Sequence, residues 1–595
     1  MARIKKVPGN LFPLPTGAYI VGKGYVYVNT SSKYISASER KSDGKGYTTH
    51  TGECIGVLEK PEDKKCRMFY ANDKYRSNHQ LEELPDPPDI ADSIAVGLLA
   101  VVREFSESSG LAEDLTTAFG STDAALVLDL AAYMVSRESA VMQHFPAWAR
   151  EHAHFSGDIR SDSYIGTFLK EHLTIPKIKM FRRLWLSRNI GTGYVYLCYD
   201  STNVNSQAEG VAIVQRGHAK DDPTLGQVNT DYVIRQEDGL PLTYLHSPGS
   251  VTDIVQAGEM IRFIDDTKKL TQIDVTLCLI CDRGYISVAN LKKMDQAGIS
   301  YLMMLRSDLR LFQDLADSYI DTIRSYKNVI VTADDDERYG ITVPRQMYED
   351  GPLCYAHLYW SASYYSKKRK AAMAAIECKR AELEQFIQSQ GTGTDPKELE
   401  NRFPAYFRLK TAPGKPRVVI QKKRGRGEGT KEVEKPTVLI TGYEDDEAAI
   451  NREIMKAGII VMLSRDEMTA QEAEIRYHKR DCVEKAFEAL KSHLGMDKIS
   501  VTTEEAIHGK GLVWFTASIM HALLFNLTDK LRATDRKSYT TESMVDQLEA
   551  IKADRELPGH TYKRRYKLTR KQNSILGCFG LSETDIDEQC KQLSQ

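Results

Sequence analysis

Two apolar runs, each closing on an aspartate, limit what this chain folds into. YVYLCYD spans 194–200 and IDVTLCLICDRG spans 273–284. Unbroken apolar character of this length, rich in β-branched and aromatic residues, reads as a strand covered on both faces. SPGSVTDIVQAGEMIRFI (247–264) and ISVANLKKMDQAG (286–298) carry helical periodicity between and after them. Strands alternating with helices give an α/β sheet, and such folds set their sites just past strand ends. Asp200 and Asp282 occupy that position. A strand-terminal Asp also serves as a turn or cap residue, so neither is decided alone.

A third carboxylate comes from the segment QEAEIRYHKRDCVEKAFEALKSHLG (471–495). Tyr477, Arg480, Glu484 and Lys491 are spaced by three, four and seven. On one continuous helix they fall within about 60° of each other. Val483, Ala486, Phe487, Leu490 and Leu494 form an apolar stripe beside them that would face a core. The bland reading of Glu484 is an i,i+4 pair with Arg480; Lys491 alone reads as a solvated lysine. Together with Asp200 and Asp282, the stripe suits a site handling phosphate and a hard divalent ion. Paired ions can activate a water or a 3′-hydroxyl in phosphoryl transfer. Arg480 and Lys491 would clamp phosphates.

The rest of the chain bounds this reading. A length of 595 residues allows several domains, with 42% hydrophobic and 27% charged residues, ordinary for a folded soluble protein. The net charge of -2 argues mildly against nucleic acid, but KKRKAAMAAIECKR (367–380), QKKRGRG (421–427) and YKRRYKLTRK (562–571) are locally basic. Ten cysteines suggest no disulfide framework. The Cys278/Cys281 pair lies in a strand, where residues three apart face opposite ways, so neither a redox nor a zinc role is expected. The fourteen histidines form no tight metal-ligand cluster. MARIKKVPGNLFPLP lacks the apolar core of a signal peptide, and GLVWFTASIMHALLFNL (511–527) reads as a buried helix, which places the protein in the cytoplasm, away from membranes.

Changes of period divide the chain. Residues 1–85 read as a small β-rich module, closed by the linker ELPDPPD (83–89). Residues 86–190 read as a helical, DNA-binding domain, in which FLKEHLTIPKIKMFRRLW (168–185) is a basic amphipathic stretch. The α/β core runs over 191–302 and resumes at 436–530. An insertion with mixed helix and antiparallel strands occupies 303–435 and carries a long charged helix at about 364–390. Residues 531–595 form a C-terminal region for DNA binding or dimerisation.

The pattern Tyr477-x2-Arg480-x3-Glu484-x6-Lys491 resembles the Tyr-Arg-Glu-Lys signature of DDE transposases of bacterial insertion sequences. YDSTNVNS (199–206) is similar to the surroundings of that family's first aspartate, and LICDRGYIS (279–287) to those of the second. GHAKDDPTLGQVNTDYVIRQEDGLPLTYLHSPGSVTD and DKISVTTEEAIHGKGLVWFTASIMHALL continue the resemblance, which covers most of 85–527. It implies an RNase H-like core, a mixed sheet flanked by helices, interrupted by a largely β insertion before the glutamate. The long charged helix within the insertion departs from that pattern; contact with DNA, contact with a second protomer and a solvated arm all remain open for it.

The resemblance also implies chemistry. Asp200, Asp282 and Glu484 would hold Mg²⁺, as two ions, with Mn²⁺ able to substitute. Water would cut a phosphodiester at each transposon end, and the freed 3′-hydroxyl would then attack DNA, through a hairpin in some relatives, before strand transfer to target. Tyr477, Arg480 and Lys491 would hold phosphates, joined by Arg283. Trp360, Tyr364 and Tyr365, near Lys367 and Lys368, are candidates for an aromatic pocket around an extruded base, against a plain packing role. The implied partners are transposon-end and target DNA and a second copy of the chain, in a bacterial, nucleoid-associated setting. Two rivals stand beside this reading: an RNase H-like nuclease without strand transfer, and a catalytically silent transposase-derived DNA-binding protein.

Overall fold

The computed structural model describes residues 4, 6, 10–36, 46–63, 65–81, 90–137, 139–217, 222, 224–331, 336–422, 430–556 and 561–593. The linker expected at 83–89 and most of the basic run 421–427 lie outside them. The chain separates into two compact units, Met1–Ala91 with Glu556–Gly559 and Asp92–Arg555 with His560–Gln595.

The first unit is an antiparallel sheet in the spatial order Leu11–Pro13, Met68–Ala71, Tyr47–Leu58, Tyr25–Ile35, Tyr19–Val21. Its strands carry the Tyr, Val and Thr that favour pleated backbone. Val26, Ile55, Leu58, Phe69 and Ala71 form its core.

The second unit is mixed α/β around one large sheet. Its strands are β1 (Gly193–Ser206), β2 (Gly226–Arg235), β3 (Pro241–Pro248), β4 (Val275–Cys281), β5 (Ile299–Met304), β6 (Val329–Ile330), β7 (Arg338–Gln346), β8 (Leu353–Ser361), β9 (Ile459–Ser464) and β10 (Lys498–Ile499). The order across the sheet is β6-β7-β8-β9-β5-β4-β1-β2-β3, with β10 paired to β1. β1, β4 and β5 are parallel, while β2 and β3 fold back antiparallel. β4 is buried at six of its seven positions, as its apolar run requires. This architecture is consistent with an RNase H-like core carrying insertions.

Helices cover both faces. The ones that matter below are α1 (Ile175–Asn189), α2 (Asp253–Thr271), α3 (Val288–Ala297), α4 (Ala362–Ser389), α5 (Ala470–His478), α6 (Asp481–Ser492) and α7 (Glu504–Leu527). α7 is apolar nearly all round and buried from Ala506 through Met520 but for His508. By length and composition it is the one helix among the described residues able to cross a membrane, yet 67% of its most apolar window is buried inside the protein. α1, the basic amphipathic stretch of the sequence, buries Phe181, Arg182, Trp185 and Leu186. The Trp185 indole N–H donates to the Pro241 carbonyl at 2.8 Å, and Arg182 stacks 4.1 Å over the Phe263 ring.

Residues 303–435 serve two purposes. β7 and β8 hydrogen-bond into the central sheet, reaching it through β9. Ile376 and Leu383 of α4, with Leu399, Phe403, Phe407 and Ile440, form an apolar cluster of their own. The long charged helix therefore packs along one side, while Lys367–Lys370 stay exposed. In the C-terminal basic run, Arg564 pairs with Asp587 and Arg565 with Asp554, both at 2.9 Å, so part of that charge is used internally.

His357 links β7, β8 and β9 below the surface. Its ring nitrogens lie 3.0 Å from the Thr342 hydroxyl and 2.8 Å from the Ser464 hydroxyl. Burial pushes its pKa down to about 4. The unfolded chain then binds a proton that the folded chain refuses, so stability is full above pH 6.5 and lost as pH falls towards 4. At 1.36 kcal/mol per pKa unit this loss is about 3 kcal/mol. Urea unfolding at a series of pH values should show it, and His357→Gln should flatten the profile; a wild-type profile flat between pH 6.5 and 4 contradicts this.

Candidate active site

β1 is longer than the apolar run suggests. The strand continues through Asp200 to Ser206, so Asp200 lies inside it rather than at its end. The reason is its partner: β2 pairs with β1 from Leu197 to Ser206. On the other edge, β4 pairs with β1 only as far as Tyr199, and β10 begins at Asn205. Asp200 thus sits where the β4 edge of β1 opens. Asp282 directly follows β4 and caps the single helical turn Arg283–Tyr285, its Oδ1 accepting from the Arg283 N–H at 2.7 Å. The parallel pairing of β1 with β4 stops at Tyr199 and Cys281, and the residue after each is one of the two aspartates.

The expected continuous helix over 471–495 is two helices. α5 ends at His478, and α6 starts at Asp481 with Arg480 as its N-cap. The Arg480 N–H bonds the Tyr477 carbonyl at 2.9 Å, an i→i−3 contact that tightens the turn and re-aims the chain. The single-helix angle between Tyr477 and Glu484 therefore does not hold. The apolar stripe does: Val483, Leu490 and Leu494 are buried, and Phe487 meets the Tyr232 ring edge-on at 5.8 Å.

This break places Arg480 among the carboxylates. Its two terminal nitrogens donate to Asp200 Oδ2 at 3.0 Å and to Glu484 Oε1 at 2.7 Å. The Tyr477 hydroxyl donates to Asp282 Oδ1 at 3.4 Å, and the Arg480 guanidinium lies 5.7 Å from the Tyr477 ring. Burial works against the Arg480 charge. Tyr477, Asp200, Asp282 and Glu484 around it prevail and hold its pKa above the usual range. Burial and the nearby Asp282 raise the Tyr477 phenol in turn, so it stays protonated and able to donate.

Several supporting groups had no sequence signal. The Tyr285 hydroxyl lies 3.0 Å from Asp200 Oδ1 and 2.9 Å from the Ser201 hydroxyl. Burial, then Asp200, raises its pKa, so it too remains a donor. Ser201 bonds Asp253 at 3.4 Å rather than only capping its own strand. Asp231, opposite Ser201 on β2, is wholly buried. Burial drives its pKa well above the carboxylate range, opposed by Tyr199 and helped by Asp253 and Asp200.

Arg283 is exposed beside Asp282, and Lys491 is half-buried in the last turn of α6. Trp360 is 5% exposed, donates to the Met455 carbonyl at 3.1 Å and packs on Tyr365 at 5.5 Å. These contacts fit a packing role. Tyr364 lies near Lys368, 5.9 Å from ring to ammonium, on exposed α4.

Three carboxylates are the hard oxygen donors that Mg²⁺ and Mn²⁺ prefer. Among the described residues, however, no three His, Cys, Asp or Glu side chains stand close enough to hold an ion. The donor chemistry fits a divalent cation, and the present spacing fits the guanidinium that stands between the donors.

The family model described as the transposase DDE domain matches residues 191–520, more than half of the chain and all of the site. The chain belongs to this transposase family. The DDE transposases are enzymes that act on DNA, and the match fixes the class of this protein without naming its catalytic residues. One solved structure, the cryo-EM structure of a piggyBac transposase synaptic complex with hairpin DNA, aligns at 9% identity over 83% of this chain and 79% of that chain, with a TM-score of 0.30. A likeness that slight carries no argument. No curated protein matches this transposase-family chain.

Exposure separates the two ion pairs of Arg480. Arg480 is 12% exposed and Asp200 21%, against 59% for Glu484. A double-mutant cycle of Arg480→Met with Asp200→Asn should give a coupling of about 1–3 kcal/mol. The cycle with Glu484→Gln should give under about 0.5 kcal/mol. Equal couplings in urea unfolding would contradict the geometry.

Proposed function

We propose that this chain is an active DNA transposase, cutting its element's ends by hydrolysis and joining the freed 3′-hydroxyl to target DNA. One observation carries the reading: Arg480 gathers Asp200, Asp282 and Glu484 into one charged cluster at the open edge of β1. Those three residues would hold Mg²⁺, with two ions and Mn²⁺ as substitute. A bound divalent ion there supplies charge neutralisation for the reacting phosphate and lowers the pKa of a water or hydroxyl.

The chain's own groups do the rest. Tyr285 and the backbone N–H of Ser201 fix the Asp200 carboxylate by hydrogen bonds, so its orientation is set in advance. Asp231 lies wholly buried behind them, and that burial raises its pKa well above the carboxylate range. Arg480, once its carboxylates turn to another cation, is left with a guanidinium fork shaped for a phosphate. Tyr477 donates from the neighbouring side, and Arg283 and Lys491 extend the cationic edge along the DNA. A hairpin route, a dimer on DNA and a cytoplasmic, nucleoid-associated setting go with this reading. Lys367 and Lys368, exposed on α4, are offered as further backbone contacts.

Purified protein incubated with duplexes carrying the inverted repeats that flank its gene, plus Mg²⁺, should give nicked ends and then joined products. Glu484→Gln should slow cleavage by about 1,000-fold, the scale of removing one electrostatic contributor to a transition state, and leave DNA binding largely intact. Full cleavage by that variant would sink the assignment. Nicked ends without any joined product would favour a nuclease.

A further inference from the structure

A fourth carboxylate touches the segments that carry Asp200 and Asp282. Asp253 is the first residue of α2, half-buried, with Thr252 as the N-cap. The helix dipole favours a carboxylate in a first turn, which alone would account for an Asp there. Its neighbours give it a second task. Asp253 Oδ1 accepts from the Ser201 hydroxyl at 3.4 Å, and Ser201 directly follows Asp200. Asp253 Oδ2 lies against Gly284, two residues after Asp282. A Cβ at Gly284 would stand 3.0 Å from that oxygen, so glycine leaves the room the carboxylate occupies. One oxygen of Asp253 therefore serves each strand end.

The position of Asp253 is fixed from behind. Buried Asn290 of α3 donates from its side-chain amide to the Ile254 carbonyl at 2.8 Å and to the Tyr285 carbonyl at 3.1 Å. It ties the first turn of α2 to the turn after Asp282. The Val251 carbonyl, just ahead of α2, accepts from Asn229 of β2 at 3.0 Å and from Gln256 at 3.2 Å. Asn229 in turn accepts from Asn203 of β1 at 2.8 Å.

Donor directions follow from the count of protons. Ser201 has one hydroxyl proton. Given to Asp253, it leaves the Ser201 oxygen as an acceptor. The Tyr285 hydroxyl then donates between Ser201 Oγ at 2.9 Å and Asp200 Oδ1 at 3.0 Å. Asp200 Oδ1 also accepts the Ser201 N–H at 2.8 Å, and Oδ2 is the oxygen that meets Arg480.

We propose that Asp253 is a positioning residue for the candidate metal site. Through Ser201 and the Gly284–Tyr285 turn it sets the orientation of the Asp200 carboxylate and the spacing of Asp200 from Asp282. Its effect on metal rests on the proposed role of those two aspartates as ligands.

The test titrates Mn²⁺ into the full-length protein and follows the free ion by electron paramagnetic resonance. Ser201→Ala removes the hydroxyl link and leaves the Asp253 charge in place. It should weaken Mn²⁺ binding about tenfold, the scale of losing a group that orients a metal ligand. Ser201→Thr, which keeps a hydroxyl, should recover most of that affinity. Asp253→Ala should cost about as much as Ser201→Ala, and the double variant no more than either single. Losses that multiply in the double variant would overturn the proposal, because Asp253 would then act on the ion without Ser201. Unchanged affinity in Ser201→Ala would overturn it as well. Hydrogen exchange of the metal-free protein reads the same link without the ion. Amides of 199–206 and 279–287 should exchange at least about tenfold faster in Asp253→Ala and in Ser201→Ala. Wild-type protein that takes up no Mn²⁺ would defeat the metal reading alone; unchanged exchange in both segments would defeat the positioning role.

Discussion

The Arg480 guanidinium is what allows this site to exist without a bound cation. Two carboxylates about 5 Å apart at an effective dielectric near 20 repel by roughly 3 kcal/mol. Asp200, Asp282 and Glu484 bring three such charges to one end of the sheet, with Asp253 close behind. Arg480 lowers that cost by contacting two of them directly and the third through the field it shares with Tyr477. Burial raises the pKa of Asp231 well above the carboxylate range, and Asp253 and Asp200 add to that shift.

The backbone makes this meeting point. Parallel pairing ends β1 and β4 level with each other at Tyr199 and Cys281, so the next residue of each chain is an aspartate facing the same opening. β2 keeps β1 extended beyond that level, which makes Asp200 a residue of a rigid strand rather than of a loop. The turn at Lys479–Arg480 separates α5 from α6 and sets Arg480 at the head of α6, in contact with Asp200 and Glu484. The Arg476–Tyr196 stack and the Arg480–Asp200 ion pair hold α5 and the head of α6 against β1.

Much of this was legible in the sequence. The unbroken apolar runs at 194–200 and 275–281 announced doubly covered strands, because few other places accept such surface. The stripe from Val483 to Leu494 announced a helix with one buried side, and the Asp, Asp and Glu followed from those elements. The break at Lys479–Arg480 had no sequence mark, since every residue around it tolerates a helix and the deviation comes from tertiary contact. The extent of β1 was hidden because its extra pairing comes from β2, over a polar stretch beyond the apolar run. β7 and β8 joined the central sheet through β9, a partner about a hundred residues away. Tyr285 and Asp231 depend on which faces meet, which periodicity within one element does not encode.

The central claim is that Arg480 holds the place of a divalent cation among Asp200, Asp282 and Glu484. A crystal structure of the protein soaked in Mn²⁺, with the metal located by its anomalous scattering, tests this most directly. The account predicts Mn²⁺ bound by oxygens of those three residues, with the Arg480 guanidinium moved away from Asp200. Mn²⁺ missing from the cluster at saturating concentration, or bound there with the Arg480–Asp200 contact unchanged, would contradict it.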